Sequence, residues 1–114
     1  MAEFSTNTRE IGNISVLEVN GYIDAHTAPQ LEGAISDLIA KSKYRIVVDF
    51  DGLKYISSAG LGVFMAFIEE VRSNEGDIKL AAMQPNVFNI FDLLGFPLLY
   101  EITDSVDEAV IKYK

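Results

Sequence analysis

Cysteine is absent from the 114-residue sequence, and histidine occurs once, at His26. Without thiols the chain can form no disulfide, no cysteine-ligated zinc site and no thiol nucleophile. Basic residues are also few: nine Lys and Arg stand against seventeen Asp and Glu, which gives a formal net charge of -8. Nucleic acids and anionic membrane surfaces favour cationic proteins, so we expect neither as a partner.

Long apolar runs are missing as well. The opening residues MAEFSTNTRE lack the basic and then apolar pattern of a secretory signal. Every apolar stretch is interrupted well before the roughly 20 residues that a membrane helix needs, so we expect a cytoplasmic protein. With 49% hydrophobic and 23% charged residues, residues 1–114 are expected to form a single globular domain.

What the sequence does contain is an alternation of strand-like and helix-like patterns. Short apolar runs predict strands at Phe4–Ile11, Ile14–Val19, Arg45–Phe50, Ile78–Met83 and Leu98–Ile102. Helices are predicted to begin at Thr27, near Ser57 or Ser58, at Pro85 and at Ser105. This alternation predicts an α/β domain in which helical crossovers join parallel strands.

Local signals define the predicted helices further. Thr27–Gln30 and Ser105–Glu108 each fit a capping box, and Asp51-Gly52 predicts a turn after the third strand. The second helix is predicted to bury a stripe formed by Leu61, Phe64, Met65, Ile68 and Val71. The third is predicted to bury Val87, Ile90, Phe91 and Leu94, and the last to carry Ala109, Val110 and Tyr113.

Catalytic and phosphate-binding motifs are weak or missing. A hydrolase would need His26 with Asp24 and one of the two serines, yet Ser57-Ser58-Ala59-Gly60 does not match G-x-S-x-G. Gly60-Leu61-Gly62 lacks the third glycine of a dinucleotide fingerprint and the Lys-Ser/Thr pair of a P-loop. Asp49 and Asp51 have no third metal ligand beside them, so no cofactor or metal is expected.

The adjacent hydroxyls of Ser57 and Ser58 fall at a strand-to-helix junction. One of them is expected to cap the helix by accepting a hydrogen bond from a first-turn N–H. Only one residue can be the cap, so the other hydroxyl is left without this role. The start of a helix is also a natural site for an anion, so a phosphate on the second serine would be tolerated there. From the residues alone, a simple cap and a phosphorylation switch both remain open.

Two segments resemble the STAS family, in particular the bacterial anti-sigma factor antagonists. Asp49–Val63 (DFDGLKYISSAGLGV) resembles the family signature of an apolar strand, a turn and Asp-Ser-Ser/Thr-Gly-Leu-Gly opening a helix. Gly21–Ala28 resembles the Gly-x-Leu/Ile-Asp segment of the family. The resemblance extends from Phe4 to Tyr113 and implies a mixed, mostly parallel sheet of four to five strands with about four helices.

The resemblance also implies a function without enzymatic activity. Family antagonists bind an anti-sigma factor that is also a serine kinase, and a PP2C-type serine phosphatase reverses the phosphorylation that ends binding. The family motif places the switch at Ser58, while ATP and magnesium belong to the kinase. Here Ser57 replaces the usual acidic residue and Ala59 the usual second hydroxyl, which leaves Ser57 as an alternative acceptor.

The partner-binding face is expected where two strand-to-helix junctions meet at the carboxyl edge of the sheet. Its predicted residues are Asp24, Ser57, Ser58, Gly60, Leu61 and Gly62. The two glycines are expected to let a partner backbone approach closely. The alternative is a constitutive STAS interaction module of a transport or signalling complex, in which both serines serve only the helix start.

Overall fold

A mixed sheet forms the centre of the computed structural model, which describes residues 4–113. Within these residues it has five strands in the order β1-β2-β3-β4-β5. They are β1 (Phe4–Ile11), β2 (Ile14–Ile23), β3 (Arg45–Ile56), β4 (Asp77–Ala81) and β5 (Ile102–Thr103). β1 pairs with β2 antiparallel, and the remaining neighbours pair parallel. The predicted mixed, mostly parallel sheet is confirmed.

Helices cover both faces of this sheet. Within residues 4–113 they are α1 (Ala28–Ala40), α2 (Ser58–Ser73), α3 (Pro85–Leu93) and α4 (Val106–Ile111), with a 3₁₀ turn at Phe96–Leu98. The larger core lies between the sheet and α1, α2 and α3, and includes Phe50, Phe64 and Phe91. The short α4 packs Ala109 and Val110 on the opposite face.

The third strand runs further than its sequence predicts. Asp51-Gly52 forms no turn: β3 continues through both residues to Ile56, and its pairing with β2 shifts register opposite Asn20 and again opposite Tyr22. A Cβ on Gly52 would collide with the side chain of Asn20. Cross-strand pairing therefore outweighs the local preference of Asp-Gly for turns. Glycine is needed at position 52 because the Asn20 side chain approaches closely at this irregularity of the sheet.

The predicted strand Leu98–Ile102 is wrong over most of its length. Phe96–Leu98 form a 3₁₀ turn, and only Ile102–Thr103 pair with β4. The rings of Phe96 and Tyr100 stack with centroids 5.2 Å apart, and each residue is only 4% exposed. Rings four residues apart can stack only where the chain coils, because a strand would hold their Cα atoms about 13 Å apart.

Two predicted core residues lie on the surface. Met65 is 54% exposed and Leu94 is 57% exposed. Leu61, Phe64 and Val71 fill the inward face of α2. Met65 follows Phe64 and lies one step further round the helix, so its side chain points to solvent. Leu94 follows the last residue of α3, so it no longer continues the buried face of that helix.

Candidate functional site

The two strand-to-helix junctions lie side by side at the carboxyl edge of the sheet. Ile23 and Ile56, the last residues of β2 and β3, pair across the two strands. Just beyond them, the amide N–H of Ser57 donates to the carbonyl oxygen of Ile23 at 2.8 Å. This main-chain bond ties the start of α2 to the loop that carries Asp24.

Asp24 organises that loop. Its Oδ1 accepts hydrogen bonds from the amides of His26 at 2.9 Å and Thr27 at 3.1 Å. The bond from the Thr27 amide, supported by that from His26, lowers the pKa of the Asp24 carboxyl from its ordinary value. The carboxylate is therefore held charged and fixed in place, which makes Asp24 a positioning group at this edge.

The capping box predicted at Thr27–Gln30 is not formed. The Thr27 hydroxyl donates to the Tyr22 carbonyl oxygen and accepts from the Asp24 amide, both at 2.9 Å. It makes no capping bond to a first-turn amide of α1. The buried Thr27 side chain instead joins the end of β2 to the Asp24 loop, because the turn before the helix offers it closer partners.

Ser57 occupies the cap position of α2 with extended backbone angles, φ -98° and ψ 175°. Its hydroxyl makes no capping hydrogen bond, and Oγ is buried without a hydrogen-bond partner among residues 4–113. The bond expected of a capping serine is therefore not made here. No imidazole contacts this oxygen, so a triad of Asp24, His26 and Ser57 is not assembled.

Ser58 is the first residue of α2, and its side chain is exposed. The first amides of a helix have no intrahelical acceptors, and the positive end of the helix dipole lies among them. α2 has no acidic residue in its first turn. A hydroxyl here is accessible to an enzyme and stands where a negative group is stabilised.

Gly60 and Leu61 lie beneath this surface. Gly60 is buried, and a Cβ there would come within 2.5 Å of Ile23 Cγ2 and 2.8 Å of Ile56 Cγ1. The close approach that Gly60 permits is thus between α2 and the sheet. Leu61 is only 4% exposed and belongs to the core, whereas Gly62 is exposed with open space beside it.

Two exposed tyrosines that the sequence motifs do not predict as site residues lie at the same edge. Tyr22 and Tyr55 are 41% and 44% exposed, pair across β2 and β3, and have ring centroids 6.3 Å apart. Each directly precedes a buried isoleucine, so strand alternation places both rings on the face opposite the main core. That alternation is the sequence signal by which they can be found.

Other kinds of site find little support in the geometry. The described residues bring no three His, Asp or Glu side chains together as metal ligands. No helix between residues 4 and 113 is long and apolar enough to cross a membrane. The carboxyl edge, with its accessible hydroxyl and fixed carboxylate, is the site that the arrangement favours.

Comparison with known proteins gives consistent matches along the chain. The family model described as STAS domain matches residues 5–109. BtrV of Bordetella bronchiseptica, described as a candidate anti-sigma factor antagonist, is 29% identical over 105 residues, which cover 92% of this chain and 90% of that protein. An anti-sigma-B factor antagonist of Listeria monocytogenes is 29% identical over 100 residues, 88% of this chain and 87% of its own.

A solved structure is similar over the same length. The crystal structure of an anti-sigma factor antagonist from Mycobacterium paratuberculosis superposes with a TM-score of 0.89 at 27% sequence identity. The superposition covers 96% of this chain and 93% of that one.

Proposed function

Because the chain belongs to the STAS domain family, we propose that it is an anti-sigma factor antagonist controlled by phosphorylation of Ser58. In its unphosphorylated form it binds an anti-sigma factor that is also a serine kinase, and this binding releases a sigma factor. The kinase ends the interaction by phosphorylating Ser58, and a PP2C-type serine phosphatase restores it. The names of its relatives support this function, and the geometry of the carboxyl edge supports the residue.

The observation that carries the assignment is the contrast between the two adjacent serines. The Ser58 side chain is exposed, whereas Ser57 Oγ is buried. A kinase must bring the acceptor oxygen into line with the γ-phosphate of ATP, which requires an accessible hydroxyl. Ser57 would need a local rearrangement of the start of α2 before it met that requirement.

The start of α2 also suits the phosphorylated form. A phosphate adds a charge of about -1.5 to -2 and three acceptor oxygens, which first-turn amides and the helix dipole stabilise. The domain need not unfold to accommodate it. A partner surface shaped for a neutral serine, however, meets both bulk and a charge that is costly to desolvate, so docking is lost while the fold is kept.

The proposed binding face consists of exposed or half-buried groups supported from below. Asp24, Ser58 and Gly62 present the surface, and Ser57, Gly60 and Leu61 determine its shape by packing against the ends of β2 and β3. The main-chain bond from Ser57 to Ile23 keeps the two junctions in register. A change in either junction is therefore expected to alter the affinity of a partner that contacts the other junction.

Phosphorylation in vitro tests the proposal. The protein is incubated with ATP and an anti-sigma factor kinase from the same genome, and its intact mass is measured. Wild type and the matched control Ser57→Ala should each gain one phosphate, whereas Ser58→Ala should gain none. Modification that survives in Ser58→Ala and disappears in Ser57→Ala would transfer the switch to Ser57. Stable binding of the kinase with no modification of wild type would indicate a constitutive interaction module.

A further inference from the structure

Four leucines at the end of α3 and just after it lie largely in solvent. Leu93, Leu94, Leu98 and Leu99 are 85%, 57%, 90% and 52% exposed, and we call them the leucine patch. Single exposed leucines are ordinary on protein surfaces. A group of them in one short segment is a feature of protein interaction sites.

The surrounding structure holds these leucines outward. Gly95, with φ 79°, turns the chain after α3, and Phe96 packs on Phe91 with ring centroids 5.1 Å apart. An Arg72 guanidinium N–H donates to the Leu99 carbonyl oxygen at 2.6 Å. The inward side of the segment is thus filled by aromatic rings and its backbone is fixed, so the leucines cannot turn into the core.

The leucine patch lies at the opposite end of the sheet from Ser58. α3 begins beside the end of β3, where the Asn86 side chain donates to the Lys54 carbonyl oxygen at 2.9 Å, and runs back toward the start of β4. Arg72, which binds Leu99, also pairs at 3.0 Å with Asp77, the first residue of β4. A partner on this patch would therefore leave the carboxyl edge open.

The charges around the leucine patch are negative or already paired. Asp92 is exposed next to Leu93 and takes part in none of the ion pairs found among residues 4–113. Arg72, whose guanidinium binds the Leu99 carbonyl oxygen, is engaged by Asp77. A second copy would bring another net charge of -8 to the contact, which opposes self-association.

We propose that the leucine patch is a second docking surface, for a protein partner that presents an apolar centre with lysine or arginine at its rim. This goes beyond the proposed function and does not depend on Ser58. Apolar burial would supply affinity, and a cation of the partner placed against Asp92 would fix its orientation. A protein held here would stay bound whether or not the carboxyl edge is phosphorylated.

The probe for a test is a short amphipathic peptide of leucine and lysine with one apolar and one basic face. Chemical-shift mapping by NMR should locate its binding at the leucine patch and Asp92. The double variant Leu93→Ser/Leu98→Ser should weaken binding by about tenfold or more. The matched control Met65→Ser removes an exposed apolar side chain elsewhere and should bind as wild type does. Replacing the lysines of the peptide by glutamate should weaken binding similarly.

Several outcomes would overturn the proposal. One is a shift map centred on the start of α2, and another is the absence of any shift with millimolar peptide. A third is concentration-dependent dimerisation of wild type that Leu93→Ser/Leu98→Ser abolishes, since the occupant would then be a second copy. Ser58→Asp should bind the peptide as tightly as wild type, so this test and that of the phosphorylation switch fail independently.

Discussion

The helices α2 and α4 both begin at a serine in extended conformation, but only one of these serines caps its helix. The Ser105 hydroxyl accepts a hydrogen bond from the Glu108 amide at 3.1 Å, and Asp107 and Glu108 add negative charge to the first turn of α4. The Ser57 hydroxyl has no partner, and the first turn of α2 holds no acidic residue. The same residue type thus serves two different helix starts.

The difference follows from what holds each helix in place. α4 has six residues and packs only two buried side chains, so its first turn depends on local hydrogen bonds. α2 has sixteen residues and is held by Gly60, Leu61, Val63, Phe64 and Val71 in the core. It needs no side-chain cap, and its positive end stays free for an added phosphate. The first turn of α4 is stabilised by local hydrogen bonds, whereas the first turn of α2 leaves room for the proposed phosphate.

A charge at the first residue of α2 should give the largest effect. Ser58→Asp is expected to weaken binding to the anti-sigma factor by about a hundredfold or more, equivalent to roughly 3 kcal/mol. Ser105→Asp, which adds the same charge at the start of α4, should leave binding unchanged because it lies outside the proposed face. Isothermal titration calorimetry gives both affinities, and circular dichroism checks that both variants remain folded.

The same binding measurement on variants of the adjacent serine tests the assignment of the switch to Ser58. If Ser58→Asp binds like wild type while Ser57→Asp does not, the assignment of the switch to Ser58 is wrong. Ser58→Ala should still bind, since it removes only a small exposed hydroxyl.

Close packing under α2 gives the next effect in size. Gly60→Ala is expected to destabilise the protein by about 1–3 kcal/mol, because the new methyl group meets Ile23 and Ile56. Gly62→Ala, two residues further on with open space beside it, should instead stabilise α2 by up to about 1 kcal/mol. Urea unfolding monitored by circular dichroism measures both changes. Equal midpoints for the two variants would contradict this account of the helix start.

Removing the serine hydroxyl at each helix start sharpens the comparison directly. Ser105→Ala should cost about 0.5–2 kcal/mol of the free energy of unfolding, because the Glu108 amide loses its acceptor. Ser57→Ala should cost nothing and is expected to stabilise slightly, since its buried hydroxyl has no partner to lose. A larger loss for Ser57→Ala than for Ser105→Ala in thermal melts would show that Ser57 Oγ is partnered in solution.

Much of this fold is readable from the sequence because its strongest signals are local. The run Arg45–Phe50 forms the first half of β3, and the Ser105 hydroxyl caps α4 by accepting from the Glu108 amide. The features that sequence reasoning missed depend on neighbours in space. Asp51-Gly52 is held in β3 by pairing with β2, and Thr27 turns its hydroxyl toward Tyr22. β2 lies far earlier in the chain than Asp51-Gly52, and Tyr22 stands before the segment Thr27–Gln30 from which a cap is predicted.

The candidate site divides in the same way. Motif and spacing are sufficient to bring the Asp24 loop and the two serines to one edge. They do not decide which serine is exposed, because that depends on how α2 seats Gly60 against Ile23 and Ile56. The leucine patch is also hidden from sequence reasoning, since Leu94 continues the helical spacing of α3 and would be assigned to its buried face. Tertiary packing settles each of these points.

The smallest expected effect concerns Tyr100, whose hydroxyl, like that of Ser57, is buried without a partner among residues 4–113. Tyr100→Phe should change the free energy of unfolding at pH 7 by less than about 1 kcal/mol, because no hydrogen bond is lost. In contrast, Tyr113 Oη accepts from the Ile46 amide at 3.0 Å and donates toward the carbonyl oxygens of Ile46 and Asp77. Tyr113→Phe is therefore the matched control, and should cost about 1–3 kcal/mol.

The stability of the protein at alkaline pH tests whether the Tyr100 hydroxyl is buried. Burial raises the pKa of Tyr100 from 10.0 to about 12, so its neutral form is favoured in the folded state. That contribution is complete below the unfolded pKa and is lost as the pH rises from 10 toward 12, since the unfolded chain releases the proton first. Tyr100→Phe should consequently lose less stability than wild type between these pH values in urea melts. An identical slope for both proteins would mean that the Tyr100 hydroxyl reaches water.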